Sequence, residues 1–317
     1  MTAVAEAIIY NGGGLLPSAL PWYAVNADNP ADAIYTKREV AADCYQTFKR
    51  VADDNGYDLR RHLFLEPSAG EGCFLQLLPP SRRIALDIAP RHSEIRKADF
   101  LEWSPPCKGK YAVIGNPPFG IRGAIALAFL NRAALFADIA GFILPMTFAS
   151  RGKGAAQTRV RGMHLLHGEE MPANAFYDGK SGIEADINTV FQVWGARRPA
   201  HPAPASASCE NFAELYSVST YHSRRCGLSR MGEYDFFIQG TFYGNRPPRV
   251  VADFADVKYG SGYGIIIKRQ KRAVAAALKN ADWTKHSTRS TNHCRHIRMQ
   301  HIRDVLVAAG FVDGVVL

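Results

Sequence analysis

Apolar residues recur at Val40, Ala41, Cys44, Phe48 and Val51. This spacing places them on one face of a helix and predicts one over Tyr35–Val51, with Thr36 as its N-cap. Downstream the period changes. Short apolar runs at His62–Leu65, Arg83–Leu86, Tyr111–Ile114, Ala140–Leu144 and, as the last β-rich run, Asn188–Trp194 predict strands. Between them lie a turn at Pro67–Gly72 leading into a short helix through Leu78, a Pro-containing loop, and a helical period over Gly123–Phe136. Such alternation predicts an α/β fold, a doubly wound Rossmann-like sheet with helices on both faces.

Residues 1–34 are rich in Gly, Ala, Pro and Asn and show no period, so they are expected to form a loosely structured lead-in to a sheet unit at 35–196. A Pro/Ala/Ser-rich stretch at 197–211 then predicts a linker. Beyond it, 212–317 is aromatic and basic, a smaller region of different character. No internal repeat is present.

Composition narrows the class. In 317 residues, 47% are hydrophobic and 21% charged, which provides a sizeable core and excludes wholesale disorder. The formal net charge of +9 points to an anionic partner, most commonly nucleic acid. Six cysteines at irregular spacing (Cys44, Cys73, Cys107, Cys209, Cys226 and Cys294) suit free thiols in a reducing compartment. The chain opens without the basic start of a signal peptide and has no apolar run of membrane-spanning length. A soluble, cytoplasmic protein with no membrane partner is expected.

The turn after the first strand reads Leu65-Glu66-Pro67-Ser68-Ala69-Gly70-Glu71-Gly72. Gly70 and Gly72 let the backbone turn sharply and pass close to a ligand, and Glu66 can reach the ammonium of a methionyl group. Asp87, at the end of the next strand and followed by Ile88, stands where a carboxylate accepts both hydroxyls of a ribose. Asp99 can accept from an adenine amino group while Phe100 packs against the ring. These stretches resemble the class I S-adenosylmethionine-dependent methyltransferases. They lack the Gly-x-Gly-x-x-Gly spacing of nicotinamide enzymes, because position 75 is Leu.

The sharpest signal is Asn116-Pro117-Pro118-Phe119, directly after the Tyr111–Ile114 run. An exocyclic amine on adenine is a poor nucleophile because its lone pair is delocalised into the ring. Two acceptors aimed at its N–H groups favour a more tetrahedral nitrogen and return the lone pair for in-line attack. Asn116 offers a side-chain oxygen and Pro117 a backbone one, a preorganised electrostatic device. Pro118 stiffens the turn, and Phe119 offers a face for stacking. A base in duplex DNA must first be rotated out of the stack.

Together with Tyr35-Thr36-Lys37-Arg38-Glu39-Val40, these motifs resemble the gamma-class adenine-N6 DNA methyltransferases over residues 35–194. The resemblance implies S-adenosylmethionine as cofactor and DNA as partner, with RNA less favoured. It also implies that Tyr35 and Thr36 help hold the methionine carboxylate, although Lys37 stands where the family has proline. A second aromatic against the flipped base is expected near the last strand, with Phe191 and Trp194 as candidates and a core role as the plainer reading of each. Cytosine-C5 chemistry needs a cysteine after the fourth strand, whereas Cys107 lies before it. Guanine-N2, protein-glutamine and RNA methylation share the amine-acceptor logic, and a silent nucleic-acid-binding scaffold is a further alternative.

From Asn245 to Arg303, thirteen basic residues face three aspartates. With Tyr243, Tyr259, Tyr263 and Trp283 interleaved, this stretch suits a phosphate-tracking surface, with Lys268, Arg269, Lys271 and Arg272 as its centre. His286, His293, Cys294, His296 and His301 cluster nearby, but their spacing matches no zinc pattern, and no metal is expected.

Overall fold

The computed structural model describes residues 34–150, 155–172, 174–179, 181–200, 207–222, 225–244, 247–290 and 294–314. Nearly all of the lead-in, the centre of the linker, Arg246 and His293 lie outside the described residues.

Seven strands form the central sheet: β1 Leu63–Glu66, β2 Arg83–Asp87, β3 Arg96–Lys97, β4 Tyr111–Gly115, β5 Ile139–Pro145, β6 His164–Glu170 and β7 Thr189–Gly195. Their spatial order is β3-β2-β1-β4-β5-β7-β6. The first five are parallel, and β7 runs antiparallel to both β5 and β6. The order reverses between β1 and β4. In open α/β sheets, ligands bind beyond the carboxyl ends of the strands at such a switch point.

Helix α1, Arg38–Asp54, covers one face of the sheet. Its Val40, Cys44 and Phe48 bury against Phe64, Ala112, Ile114, Ile143 and Phe191. Helix α2, Ala124–Ala133, covers the other face, where Ile125, Phe129 and Leu130 pack on Leu65, Val113, Phe142 and Trp194. The strict alternation in β4 divides Ala112 and Ile114 from Tyr111 and Val113 between the two layers. Fully burying one such large side chain stabilises the fold by about 1.5–3 kcal/mol. This is a Rossmann-like α/β arrangement, a mostly parallel sheet with helices on both faces.

Several expectations are corrected. Ile34–Thr36 is a strand paired with Phe176–Asp178, which pairs in turn with Glu184–Ala185. The helix therefore starts at Arg38, and Thr36 caps nothing. Lys37 N–H donates to the carbonyl of Ala175 at 3.0 Å, a bond that proline at this position could not make. The helix expected through Leu78 is one 3-10 turn, Leu75–Leu77, because Pro79 and Pro80 stop it. Edge strand β6, with the sequence His-Leu-Leu-His-Gly-Glu-Glu, has no apolar alternation, and its charged residues suit an open edge.

Asn188–Trp194 is not the last β-rich run. A four-stranded antiparallel sheet follows, made of β8 Ala213–Ser219, β9 Phe236–Gln239, β10 Val250–Val251 and β11 Ser261–Ile267, in the order β8-β11-β9-β10. Helices α3, Lys271–Asn280, and α4, Met299–Ala308, pack with it around Phe212, Ile238, Ile265, Leu278, Trp283 and Ile302. A small sheet joins Thr241–Tyr243, Cys294–His296 and Thr288–Arg289. Asn188, at the head of β7, donates from Nδ2 to the carbonyl of Ser290 at 3.2 Å, which ties this region to the main sheet. Among the described residues no helix is long and apolar enough to cross a membrane, and all six cysteines are free thiols.

Candidate active site

The carboxyl ends of β1, β2 and β4 converge on two turns. In the first, Gly70 has φ +51°, a left-handed conformation that glycine adopts without a Cβ clash. A Cβ there would stand 2.6 Å from Cε1 of Tyr35, so the Tyr35 ring lies directly on the turn. Gly72 is left-handed as well, at φ +81°. Asp87 accepts the Gly70 N–H at 2.7 Å and the Ala89 N–H at 2.8 Å, which pins the turn to β2. A carboxylate offers about four lone-pair sites, so Asp87 retains acceptor capacity for a diol. Ile88 is half-buried and packs against the α2 layer.

Glu66, the last residue of β1, is 1% exposed. It accepts the backbone N–H groups of Phe74 and Leu75, yet its Oε2 has no partner among the described residues. Burial drives its carboxyl well above the usual carboxylate range. An unpaired buried oxygen is costly, and here it stands beside the glycine turn.

The second turn follows β4 and touches the first, because Ser68 Oγ donates to the backbone carbonyl of Asn116 at 3.0 Å. Ser68 thus joins the two turns. Asn116 donates from Nδ2 to Thr36 Oγ1 at 3.3 Å. Its Oδ1 is shielded from solvent and has no partner among the described residues. Pro117 is buried, Pro118 exposed and Phe119 half-buried against both apolar layers. The Phe119 carbonyl accepts the N–H groups of Ile125 and Ala126 and so heads α2. Gly120 follows at φ +65°, where a Cβ would meet Ile125 Cγ1 at 2.4 Å. Beside it Ile121 is 83% exposed.

The structure separates the other expected residues. Asp99, half-buried after β3, accepts the Leu101 N–H at 2.9 Å. Phe100 is a correction: it is 1% exposed, with its ring centroid 5.1 Å from that of Phe129, and it belongs to the core. Phe191 and Trp194 are core residues on opposite faces of β7. Thr36, expected at the cofactor carboxylate, is buried against Asn116.

Tyr177 carries no local motif that marks it as a site residue. Its hydroxyl donates to Glu71 Oε2 at 3.0 Å, and its ring centroid lies 5.7 Å from that of Tyr35. The Arg91 guanidinium sits 5.3 Å above the Tyr35 ring. Burial and the Glu71 carboxylate push the Tyr177 phenol up to about 12. Tyr177 enters only because residues 176–178 pair with 34–36, a contact that no local pattern announces. Two cavities, of about 270 and 520 Å³, open at the opposite edge of the sheet around Arg61, Lys110, Cys107 and Phe136, away from both turns.

The four central basic residues are not equivalent. Lys268 pairs with Glu214 at 2.7 Å, and Lys271 pairs with Asp235. Arg269 and Arg272 are exposed and have no ion pair among the described residues. Cys294 Sγ lies 3.4 Å from His296 Nε2, and His296 Nδ1 lies 3.0 Å from Thr241 Oγ1. No group of three or more metal-ligating side chains forms among the described residues.

No family model and no curated protein matches the chain. Solved structures resemble part of it. A proposed RNA methyltransferase from Pyrococcus horikoshii superposes with a TM-score of 0.37 and 16% identity, over 52% of this chain and 87% of that one. The 23S rRNA methyltransferase ErmE gives a TM-score of 0.34 and 21% identity over 50% and 70%. Magnesium protoporphyrin IX methyltransferase from Synechocystis PCC 6803, solved with bound S-adenosylmethionine, gives 0.34 and 11% over 49% and 78%. The fold assignment rests on the strand order and the two layers.

Proposed function

We propose that the chain is an S-adenosylmethionine-dependent N-methyltransferase that acts on an exocyclic amine, with adenine N6 in DNA as the target. The observation that carries this reading is the Asn116 amide. Its nitrogen donates to Thr36, and its oxygen has no partner among the described residues, on a turn that touches the glycine turn.

The residues fit the cofactor. Glu66 holds a spare buried oxygen for an ammonium, Gly70 and Gly72 leave room for close approach, and Asp87 keeps acceptor capacity for a ribose. When bound, the cofactor supplies an electrophilic methyl group on a sulfonium. The protein's contribution is orientation. Asn116 Oδ1 and the Pro117 carbonyl accept from the two N–H groups of the target and aim the nitrogen lone pair. Phe119 stacks on the flipped base, and the tight turn keeps both acceptors in place.

Residues 35–196 form the catalytic unit in this reading, and 212–317 hold the nucleic acid. Arg269 and Arg272 supply charge that no carboxylate among the described residues has taken. The Asn188–Ser290 bond brings the C-terminal region to the head of β7, whose N-terminal end lies at the carboxyl edge of the parallel strands. Labelled-methyl transfer to DNA, RNA and protein in parallel tests the proposal. The expected product is N6-methyladenine in DNA. Label in RNA or protein alone moves the target elsewhere, and no transfer to any of the three rejects the activity.

A further inference from the structure

Thr36 is 2% exposed and lies in the short strand that crosses the carboxyl edge of the sheet. Its hydroxyl is 3.3 Å from Asn116 Nδ2. On the reading proposed above, Asn116 must present oxygen to the target amine. A carboxamide has two faces of similar shape, and rotation by half a turn would present NH2 to a group that itself carries N–H. Two donors would then oppose each other. Something must hold the amide in place.

We propose that Thr36 is a positioning residue: its hydroxyl anchors the Asn116 carboxamide, accepting from Nδ2, so that Oδ1 stands toward the incoming amine. The inference rests on the N-methyltransferase reading for its purpose, but the contact itself stands on geometry. Three features keep Thr36 in place. Its strand pairs residue by residue with Phe176–Asp178, Lys37 N–H bonds the Ala175 carbonyl, and the Lys37 side chain pairs with Glu184. A β-branched threonine in an extended strand also has few rotamers. The backbone frame therefore delivers the hydroxyl to the amide with little freedom. From the other side, the Ser68 bond to the Asn116 carbonyl fixes the amide's own backbone. The atoms nearest the Gly70 position belong to the neighbouring Tyr35, whose ring lies on the glycine turn.

The test compares Thr36→Val, which keeps the shape and removes the acceptor, with Thr36→Ser, which restores it. Three quantities are measured on the full chain: the single-turnover methyl-transfer rate, cofactor affinity by titration, and the Asn116 side-chain 15N–H2 resonances, identified by their loss in Asn116→Ala. Thr36→Val is expected to slow transfer tenfold or more and leave cofactor affinity within twofold. It should shift the Asn116 amide protons and speed their exchange. Thr36→Ser should restore both. An unmoved amide resonance in Thr36→Val overturns the proposal, as does a loss of cofactor affinity that parallels the loss of rate. Should the unaltered protein transfer no methyl group to any substrate while its Asn116 amide still responds to Thr36→Val, the enzymatic reading falls and the positioning contact survives.

Discussion

The two halves of the chain treat polar groups in opposite ways. In the sheet unit, net charge is small, yet buried oxygens of Glu66, Asn116 and Thr189 have no partner among the described residues, all at the same edge of the sheet. In the C-terminal region net positive charge is high, but some of the cations are already matched: Lys268 with Glu214, Lys271 with Asp235, and Arg230 with Glu233. Excess charge in a sequence is thus a poor guide to which cations are available. An unpaired buried acceptor is a better guide to chemistry, because a fold keeps it at a cost.

The largest expected effect comes from removing the spare acceptor. Asn116→Ala should lower single-turnover methyl transfer about a hundred- to a thousandfold, the range seen when one preorganised polar group is lost. Cofactor affinity should change little. Retained turnover would break the comparison at its strongest point.

Next is Gly70→Ala. It forces a Cβ into a left-handed position and against the Tyr35 ring, and should cost about 1–2 kcal/mol in urea denaturation. Gly182→Ala, at φ +69° with nothing within 4 Å, isolates the backbone part of that cost. Equal losses at the two sites would show that Tyr35 does not press on the turn.

The C-terminal half is sharpened by charge reversal. Arg269→Glu with Arg272→Glu should weaken DNA binding about tenfold at low salt and flatten its salt dependence. Lys268→Glu with Lys271→Glu should do less per charge, since those ammonium groups already face carboxylates. Cofactor affinity should hold in both. Equal effects would mean that the ion pairs do not restrain the lysines.

The smallest effect concerns Glu66. Burial raises the Glu66 carboxyl in the folded protein, whereas the unfolded chain titrates it at its ordinary value. Its contribution to stability is therefore full at acid pH and declines as pH rises towards the folded value. Glu66→Gln should remove that decline, so the variant's melting temperature should gain a few degrees on the unaltered protein as pH rises above the ordinary carboxylate range. A difference that does not change with pH would contradict a raised Glu66 carboxyl.

Much of the sheet was legible. The apolar runs that became β1, β2, β4, β5 and β7 lie on buried strands, where both faces must be apolar and the signal is dense. Asn116 and Gly70 were legible because each occupies a turn whose geometry restricts residue type. What stayed hidden depended on distant partners. Thr36 looks like a helix cap until residues 176–178 pair with its strand. Phe100 looks like a ligand platform until α2 covers it with Phe129. β6 carries the polar pattern of an edge. The lysines at 268 and 271 looked free because Glu214 and Asp235 lie far upstream, outside the basic stretch.

The crossing strand Ile34–Thr36 also sets an order of events during synthesis. Its partner does not exist until residue 178 has been added, on the order of ten seconds later at 5–20 residues per second. Until then the first pieces of the carboxyl edge emerge with their hydrogen-bonding groups unclaimed. The nascent chain carries an open strand that only the later hairpin can close, so the edge becomes competent late, after most of the sheet behind it is built.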